Sequence, residues 1–113
     1  MDAARATALL DELDRAAGRR LRHLTADAES LRLDRADATA DDEHDPEGST
    51  LSGEWAHVDA LSREAREERD EIRAARERVA SGTFGVCEVC GQPIADARLE
   101  VRPTARRCIS CAI

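Results

Sequence analysis

The first third of the chain carries apolar residues at every seventh position. Further apolar residues fill intermediate positions, which is the pattern of a helix with a single apolar stripe. The heptad positions are Leu10, Ala17, Leu24, Leu31 and Ala38, and the intermediate ones are Leu13, Leu21 and Ala28. Such a stripe is typical of a seam that packs against a second helix. We therefore predict a long helix from about Ala3 to Ala38.

The apolar pattern stops in the following stretch, residues 40–49. Pro46 disfavours helical geometry at Asp45, and Gly48 loosens the backbone. We predict a turn, with an acidic tip loop at residues 39–50.

A second heptad pattern follows the turn. Its positions are Leu51, Val58, Ala65, Ile72 and Val79, with Trp55 and Ala75 between them. Ser49 or Ser52 is expected to cap the start of this helix, and Ser81-Gly82 to end it. Two such helices joined by a short turn are expected to pack as an antiparallel coiled-coil hairpin over residues 1–81.

All four cysteines lie near the end of the sequence, as two C-x-x-C pairs separated by seventeen residues. The pairs are Cys87-Glu88-Val89-Cys90 and Cys108-Ile109-Ser110-Cys111. This spacing is typical of a four-thiolate zinc site, in which the intervening loop brings the second pair round to complete a tetrahedron. Gly91 directly follows the first pair, where a tight turn often needs positive φ.

Two other interpretations of the cysteines are a thioredoxin-like redox pair and two structural disulfides. The redox interpretation requires a C-x-x-C beside a βαβ pattern, which is missing from the sequence, and the disulfide interpretation requires an exported chain. We favour one structural zinc ion, because four cysteines fill every position of a tetrahedral site and leave none open for catalysis. No acid–base or nucleophilic constellation remains, so we expect the protein not to be an enzyme.

The segment around the cysteines, residues 82–113, is expected to form a small zinc finger. We predict a short strand over residues 83–86, a helical turn over residues 93–99 and a second strand at Leu99-Glu100-Val101. The apolar residues available for its core are Phe84, Ile94, Leu99, Val101 and Ile109. They are too few for an independent core, so the metal would have to substitute for one. The predicted fold class is mainly α, a long antiparallel coiled-coil hairpin followed by a small C-terminal four-cysteine zinc finger.

The net charge of −7 argues against general affinity for nucleic-acid backbones. We expect a protein partner and no direct sequence-specific nucleic-acid binding. No apolar run approaches a membrane span, and the first residues lack the basic start and apolar stretch of a signal peptide. A cytoplasmic location is expected, since a reducing compartment keeps thiols available for metal.

Two groups of charged side chains each have two interpretations. Five carboxylates lie within seven residues of the predicted tip: Asp41, Asp42, Glu43, Asp45 and Glu47. They form either an ordinary solvated loop or a cluster offered to a metal-bearing or basic site on a partner. Four arginines surround the finger: Arg98, Arg102, Arg106 and Arg107. They either neutralise the zinc–thiolate charge or bind an acidic surface of a partner.

The residues around the cysteines resemble the zinc finger of the DksA/TraR family. The similarity lies in Gly82-Thr83-Phe84-Gly85-Val86 before the first pair, Gly91-Gln92-Pro93-Ile94 after it, and Ala97-Arg98-Leu99-Glu100-Val101-Arg102-Pro103-Thr104-Ala105 before the second pair. The resemblance implies an antiparallel coiled coil with an acidic tip, and a C4 finger. It also implies binding to bacterial RNA polymerase, with the tip inserted into the secondary channel so that initiation is altered without contact to promoter DNA.

The family's tip motif, Asp-x-x-Asp-x-Ala, is matched here at its two acids, Asp42 and Asp45, whereas Glu47 stands at the position of Ala. Some members act together with guanosine tetraphosphate, but the resemblance assigns this nucleotide to no residue here. The functional hypothesis is a zinc-binding regulator of transcription that binds RNA polymerase. The alternative is a zinc-stabilised coiled-coil adaptor or interaction module without a polymerase role.

Overall fold

The computed structural model describes the backbone of residues 1–41 and 47–112, and the side chains of residues 1–37 and 52–112. It contains three helices in these ranges: α1 (Ala3–Asp41), α2 (Glu47–Ser81) and α3 (Asp96–Val101). The described residues form no strand, only an isolated antiparallel bridge between Val86 and Pro93. The predicted mainly α fold is confirmed.

Both long helices extend into the segment predicted as the tip loop. Asp41 is the last residue of α1 and Glu47 is the first of α2. The expectation that Ser49 or Ser52 begins α2 is wrong, since both lie inside the helix. The physical reason is that each residue added to an existing helix contributes another backbone hydrogen bond, so a helix continues beyond the end of its apolar stripe.

Two compact units make up the chain. One combines Met1–Ala16 with Glu68–Ile113, and the other consists of Ala17–Glu67. The cysteine segment therefore shares its unit with the beginning of α1 and the end of α2. The predicted domain boundary between residues 81 and 82 stays a prediction.

In the unit that contains the cysteines, α1 and α2 pack antiparallel. Arg76 of α2 contacts Asp11 of α1 at 2.7 Å, and Arg69 contacts Asp14 at 3.3 Å, so the two helices run in opposite directions. The buried side chains of the seam between them are all apolar. Its buried residues are Ala6, Leu9, Leu10, Ile72 and Ala75.

In the unit of residues 17–67, the predicted heptad positions again lie inward. Ala17, Leu24 and Ala65 are buried, and Leu31 and Val58 are half-buried. The predicted stripe is therefore confirmed at these positions, while the side chains of Ala38 and Leu51 lie outside the described residues. Trp55 was expected on the seam but exposes 38% of its surface.

The local structure around the cysteines differs from the sequence prediction. The two predicted strands are wrong: residues 83–86 contribute only Val86 to a bridge, and Leu99–Val101 belongs to α3. Leu99 donates its N–H to the Ala95 carbonyl at 3.1 Å, as a helix requires. Three alternating residues are too short a pattern to distinguish a strand from a single helical turn.

Among the described residues, the long helices are too polar for a membrane span, and α3 is also too short.

Candidate metal centre

The four cysteine sulfurs converge on one point. The Sγ atoms of Cys87, Cys90, Cys108 and Cys111 all lie within 4.8 Å of one another. The Cys90 and Cys108 sulfurs are 3.8 Å apart. A tetrahedron of sulfurs around zinc, with Zn–S of about 2.3 Å, has edges of about 3.8 Å. That separation is too long for a disulfide, in which the sulfurs lie about 2.05 Å apart. The four cysteines are therefore positioned to bind one metal ion.

A tight turn places the first cysteine pair. The Gly91 N–H donates to the Cys87 carbonyl at 3.0 Å, and the Cys87 N–H donates to the Gln92 carbonyl at 2.9 Å. Gly91 has a φ of +72°, so the positive φ predicted from the sequence is confirmed. These bonds fold the chain back on itself between Val86 and Pro93, so that the first two sulfurs face the same point.

The second pair is held by a similar turn and by a bond to the first. The Cys111 N–H donates to the Cys108 carbonyl at 3.0 Å. The Glu88 N–H, one residue after Cys87, donates to the Arg106 carbonyl at 2.8 Å. This bond joins the first cysteine pair to the segment that leads into the second.

The finger has a small apolar core beside the sulfurs. Its buried residues are Cys87, Ile94, Leu99 and Ala105, and Met1, Phe84, Cys108 and Cys111 pack against them. The prediction is wrong for two of the five core residues, because Val101 is 88% exposed and Ile109 is 76% exposed. The core is even smaller than the sequence suggested, which strengthens the expectation that metal binding and folding are coupled.

Thiol acidities differ within the cluster. Hydrogen bonds from the backbone at Cys90 and then Cys108 lower the pKa of Cys87 to about 6. The hydrogen bond with the Cys108 thiol is the main cause that raises the pKa of Cys111 to about 12. The fold thus favours the thiolate at Cys87, the form that binds metal, whereas Cys111 has to lose its proton when the ion binds.

The arginines around the finger make specific contacts that the sequence did not indicate. Arg106 contacts Glu71 of α2 through both Nε and Nη2, at 2.9 and 3.3 Å. Arg107 contacts Glu88 at 3.0 Å, and Arg98 donates to the Arg107 carbonyl at 2.9 Å. At least two of the four arginines therefore pair with carboxylates of this chain.

The beginning of α1 is also attached to the finger. Arg5 contacts Glu100 of α3 through Nε at 2.9 Å and through Nη2 at 2.5 Å. These residues lie 95 positions apart, and no local pattern in the sequence relates them.

The predicted tip residues are only partly described. Asp42, Glu43 and Asp45 lie outside the described residues, and for Asp41 and Glu47 only the helical backbone is described. In the part of the chain that is described, the cysteine cluster is the one group of three or more metal-ligating side chains close enough to hold an ion.

Comparison with known proteins gives a consistent family likeness. The sequence profile of the prokaryotic dksA/traR C4-type zinc finger matches residues 82–113. The chain is 45% identical over 40 residues to the RNA polymerase-binding transcription factor DksA of Haemophilus influenzae, a match that covers 35% of this chain and 28% of that protein. It is 36% identical over 63 residues to the uncharacterized protein YbiI of Escherichia coli, covering 54% of this chain and 72% of the relative.

The likeness also extends to a solved structure. The transcription factor DksA2 from Pseudomonas aeruginosa matches with a TM-score of 0.56 and 28% sequence identity, over 97% of this chain and 85% of that one. By contrast, the chain spans about a third or less of the length of several curated relatives, among them the DksA protein of Haemophilus influenzae.

Proposed function

Because the chain belongs to the DksA/TraR family of C4-type zinc finger proteins, we propose that it regulates transcription by binding RNA polymerase. In this proposal, the segment between α1 and α2, which the sequence predicts as an acidic tip, enters the secondary channel of the polymerase and modulates initiation. The observation that carries it is the four-cysteine cluster beside the paired ends of two long helices, in a chain similar to a transcription factor along 97% of its length.

The metal has a structural role in this proposal. Cys87, Cys90, Cys108 and Cys111 hold one zinc ion, whose charge stabilises the thiolates and replaces a larger apolar core. Four protein ligands fill the tetrahedron and leave no position for a substrate. The protein therefore acts by binding, and we assign it no enzymatic reaction.

The finger offers a surface suited to a protein partner. Val101 and Ile109 are largely exposed, and both line an apolar cavity together with Arg98 and Arg102. Arginine is enriched in protein interfaces, and the buried core of an interface is more apolar than the rest of the surface. We propose that this surface holds the finger on the partner while the tip regulates.

The acidic residues Asp41, Asp42, Glu43, Asp45 and Glu47 are the proposed regulatory contacts. Their concentration creates a negative field suited to basic or metal-bearing groups in the polymerase. Regulation through guanosine tetraphosphate is not assigned to any residue of this chain.

Co-purification tests binding. The tagged chain, recovered from cell extract at mild salt, is expected to bring polymerase subunits with it. Absence of these subunits would contradict the polymerase role. Recovery of an unrelated partner in their place would support the alternative, an adaptor that uses the coiled coil and the finger only for assembly.

Substitution of the tip tests regulation separately. Asp42→Asn with Asp45→Asn is expected to remove the effect on initiation while binding to polymerase is retained, because the finger surface is unchanged. Asp34→Asn with Asp37→Asn, at exposed positions of α1, is the matched control and should leave both properties intact. Full regulatory activity in the Asp42 and Asp45 variant would contradict the tip mechanism but not the binding proposal.

A further inference from the structure

Glu71 lies on α2, sixteen residues before the first cysteine, yet it contacts the finger directly. We propose that Glu71 is a positioning residue of the metal centre, which holds the second cysteine pair in place through Arg106. The proposal rests on zinc ligation by the four cysteines, and it is independent of whether the protein binds polymerase.

Arg106 connects α2 with both cysteine pairs. Its guanidinium contacts the two Glu71 oxygens at 2.9 and 3.3 Å. Its carbonyl accepts the Glu88 N–H at 2.8 Å, next to Cys87, and Arg106 itself lies two residues before Cys108. A displacement of Arg106 would therefore be transmitted to both pairs.

Glu71 interacts with charged groups beyond its ion-pair partner Arg106. The hydrogen bond from Arg106 lowers the pKa of Glu71, and the charges of Arg78 and Arg102 act in the same direction. Arg78 is half-buried and lies 3.5 Å from the Thr104 carbonyl, in the segment that leads to the second pair. Burial lowers the pKa of Arg78, and the charge of Arg106 lowers it further. Glu71 is thus a carboxylate that faces three guanidinium groups, two of which, Arg78 and Arg106, are also influenced by the charge of Glu88.

Loss of Glu71 would leave these like charges facing one another. An isolated exposed ion pair contributes little, but a two-point contact within a network contributes more. Groups that orient the ligands of a metal site typically change metal affinity by about 10- to 100-fold when they are substituted. Since Glu71 is half-buried and acts through Arg106, we expect an effect near the lower end, roughly tenfold.

The test is the rate of zinc release. The full chain loaded with zinc is mixed with excess chromogenic chelator, and Glu71→Gln is expected to release its metal roughly tenfold faster than the wild type. Gln keeps the side-chain length and a similar helix propensity, so α2 is expected to stay folded. Glu77→Gln is the matched control, because Glu77 lies exposed on the same helix and in the same unit, and it should release zinc at the wild-type rate.

Two further measurements separate charge balance from general weakening. Glu71→Asp keeps a carboxylate beside Arg78, Arg102 and Arg106 and is expected to release zinc more slowly than Glu71→Gln. High salt should narrow the difference between wild type and Glu71→Gln, since it screens partly exposed charges. Hydrogen exchange at the Glu88 amide should accelerate in Glu71→Gln, because its acceptor is the Arg106 carbonyl.

Equal release rates for wild type, Glu71→Gln and Glu77→Gln would overturn the proposal, as would a wild type that holds no zinc. Release from Glu71→Asp as fast as from Glu71→Gln would equally overturn the role of charge balance. None of these measurements involves polymerase, so a negative result here and a negative co-purification are distinguishable.

Discussion

At the scale of single residues, Gly85 shows how closely the finger backbone approaches its own core. Its φ is +77°, and a Cβ at this position would lie 3.3 Å from Leu99 Cδ1. A left-handed conformation costs an L residue roughly 1–2 kcal/mol, and the close contact adds to that. We therefore expect Gly85→Ala to lower the free energy of unfolding of the zinc-loaded protein by about this amount, measured by urea denaturation.

Gly53 provides the opposite case for comparison. It lies within α2, and a Cβ there would meet nothing within 4 Å. Since Ala is favoured over Gly in a helix by about 1 kcal/mol, Gly53→Ala should raise the free energy of unfolding. If both substitutions changed the free energy of unfolding in the same direction, the backbone conformations of Gly85 and Gly53 would not explain their contributions to stability.

At the scale of elements, the pairing of α1 and α2 depends on a narrow apolar seam. Ile72 of α2 is 1% exposed, and Leu10 of α1 is completely buried. Truncating a side chain in such a place removes buried area and leaves a cavity, at a cost of about 2–5 kcal/mol. Ile72→Ala is expected to lower the free energy of unfolding of the helix pair by that amount. Urea unfolding monitored by far-ultraviolet circular dichroism measures this change.

Leu33→Ala is the matched control for the seam. Leu33 lies on α1 with 53% of its surface exposed. Because exposed substitutions usually change stability by no more than about 0.5 kcal/mol, this variant should unfold like the wild type. A loss as large as that of Ile72→Ala would mean that the seam predicted from the heptads is not the packing interface.

At the scale of the whole molecule, metal binding depends on the protonation of the thiols. These thiols lie in the same unit as the beginning of α1 and the end of α2. The pKa of Cys87 is lowered from its ordinary value of 9.0 to about 6. A lowered folded-state pKa contributes stability that is fully present above the unfolded value, near 9, and is lost as the pH falls through about 6. Bound zinc favours the thiolates further. We therefore expect zinc to be retained at neutral pH and released on acidification, when protons compete with the metal for the thiolates.

Acidification of the zinc-loaded chain tests this expectation. Free zinc is measured with a chelator dye, and hydrogen exchange on matched samples should show protection lost first in the unit of Met1–Ala16 and Glu68–Ile113. Combined replacement of His23, His44 and His57 by Gln is the control and should leave the release midpoint unchanged, because the metal-ligating cluster consists of cysteines. Release at neutral pH, or a midpoint that moves with the histidines, would contradict the assignment to the thiolates.

Much of the fold and the metal centre follows from local patterns in the sequence. Leu10, Ala17, Leu24, Ala65 and Ile72 are buried as their seven-residue spacing predicts, because each heptad position returns to nearly the same side of a helix. The paired C-x-x-C motifs indicate the four-thiolate site, because a tight turn brings two sulfurs three residues apart to the same point. Both inferences depend only on the spacing of residues along the chain and on a second segment that has the same spacing.

The tertiary structure decided what such patterns do not contain. Leu99 lies buried in α3 while Val101, two residues later, is exposed, because a single helical turn rather than a strand sets their directions. The contact between Arg106 and Glu71 joins residues 35 positions apart, and that between Arg5 and Glu100 joins residues 95 apart. Such pairs form only when the fold brings distant segments of the chain together. The sequence thus determined the helices and the metal ligands, whereas only the folded chain shows which side chains attach the finger to the helices.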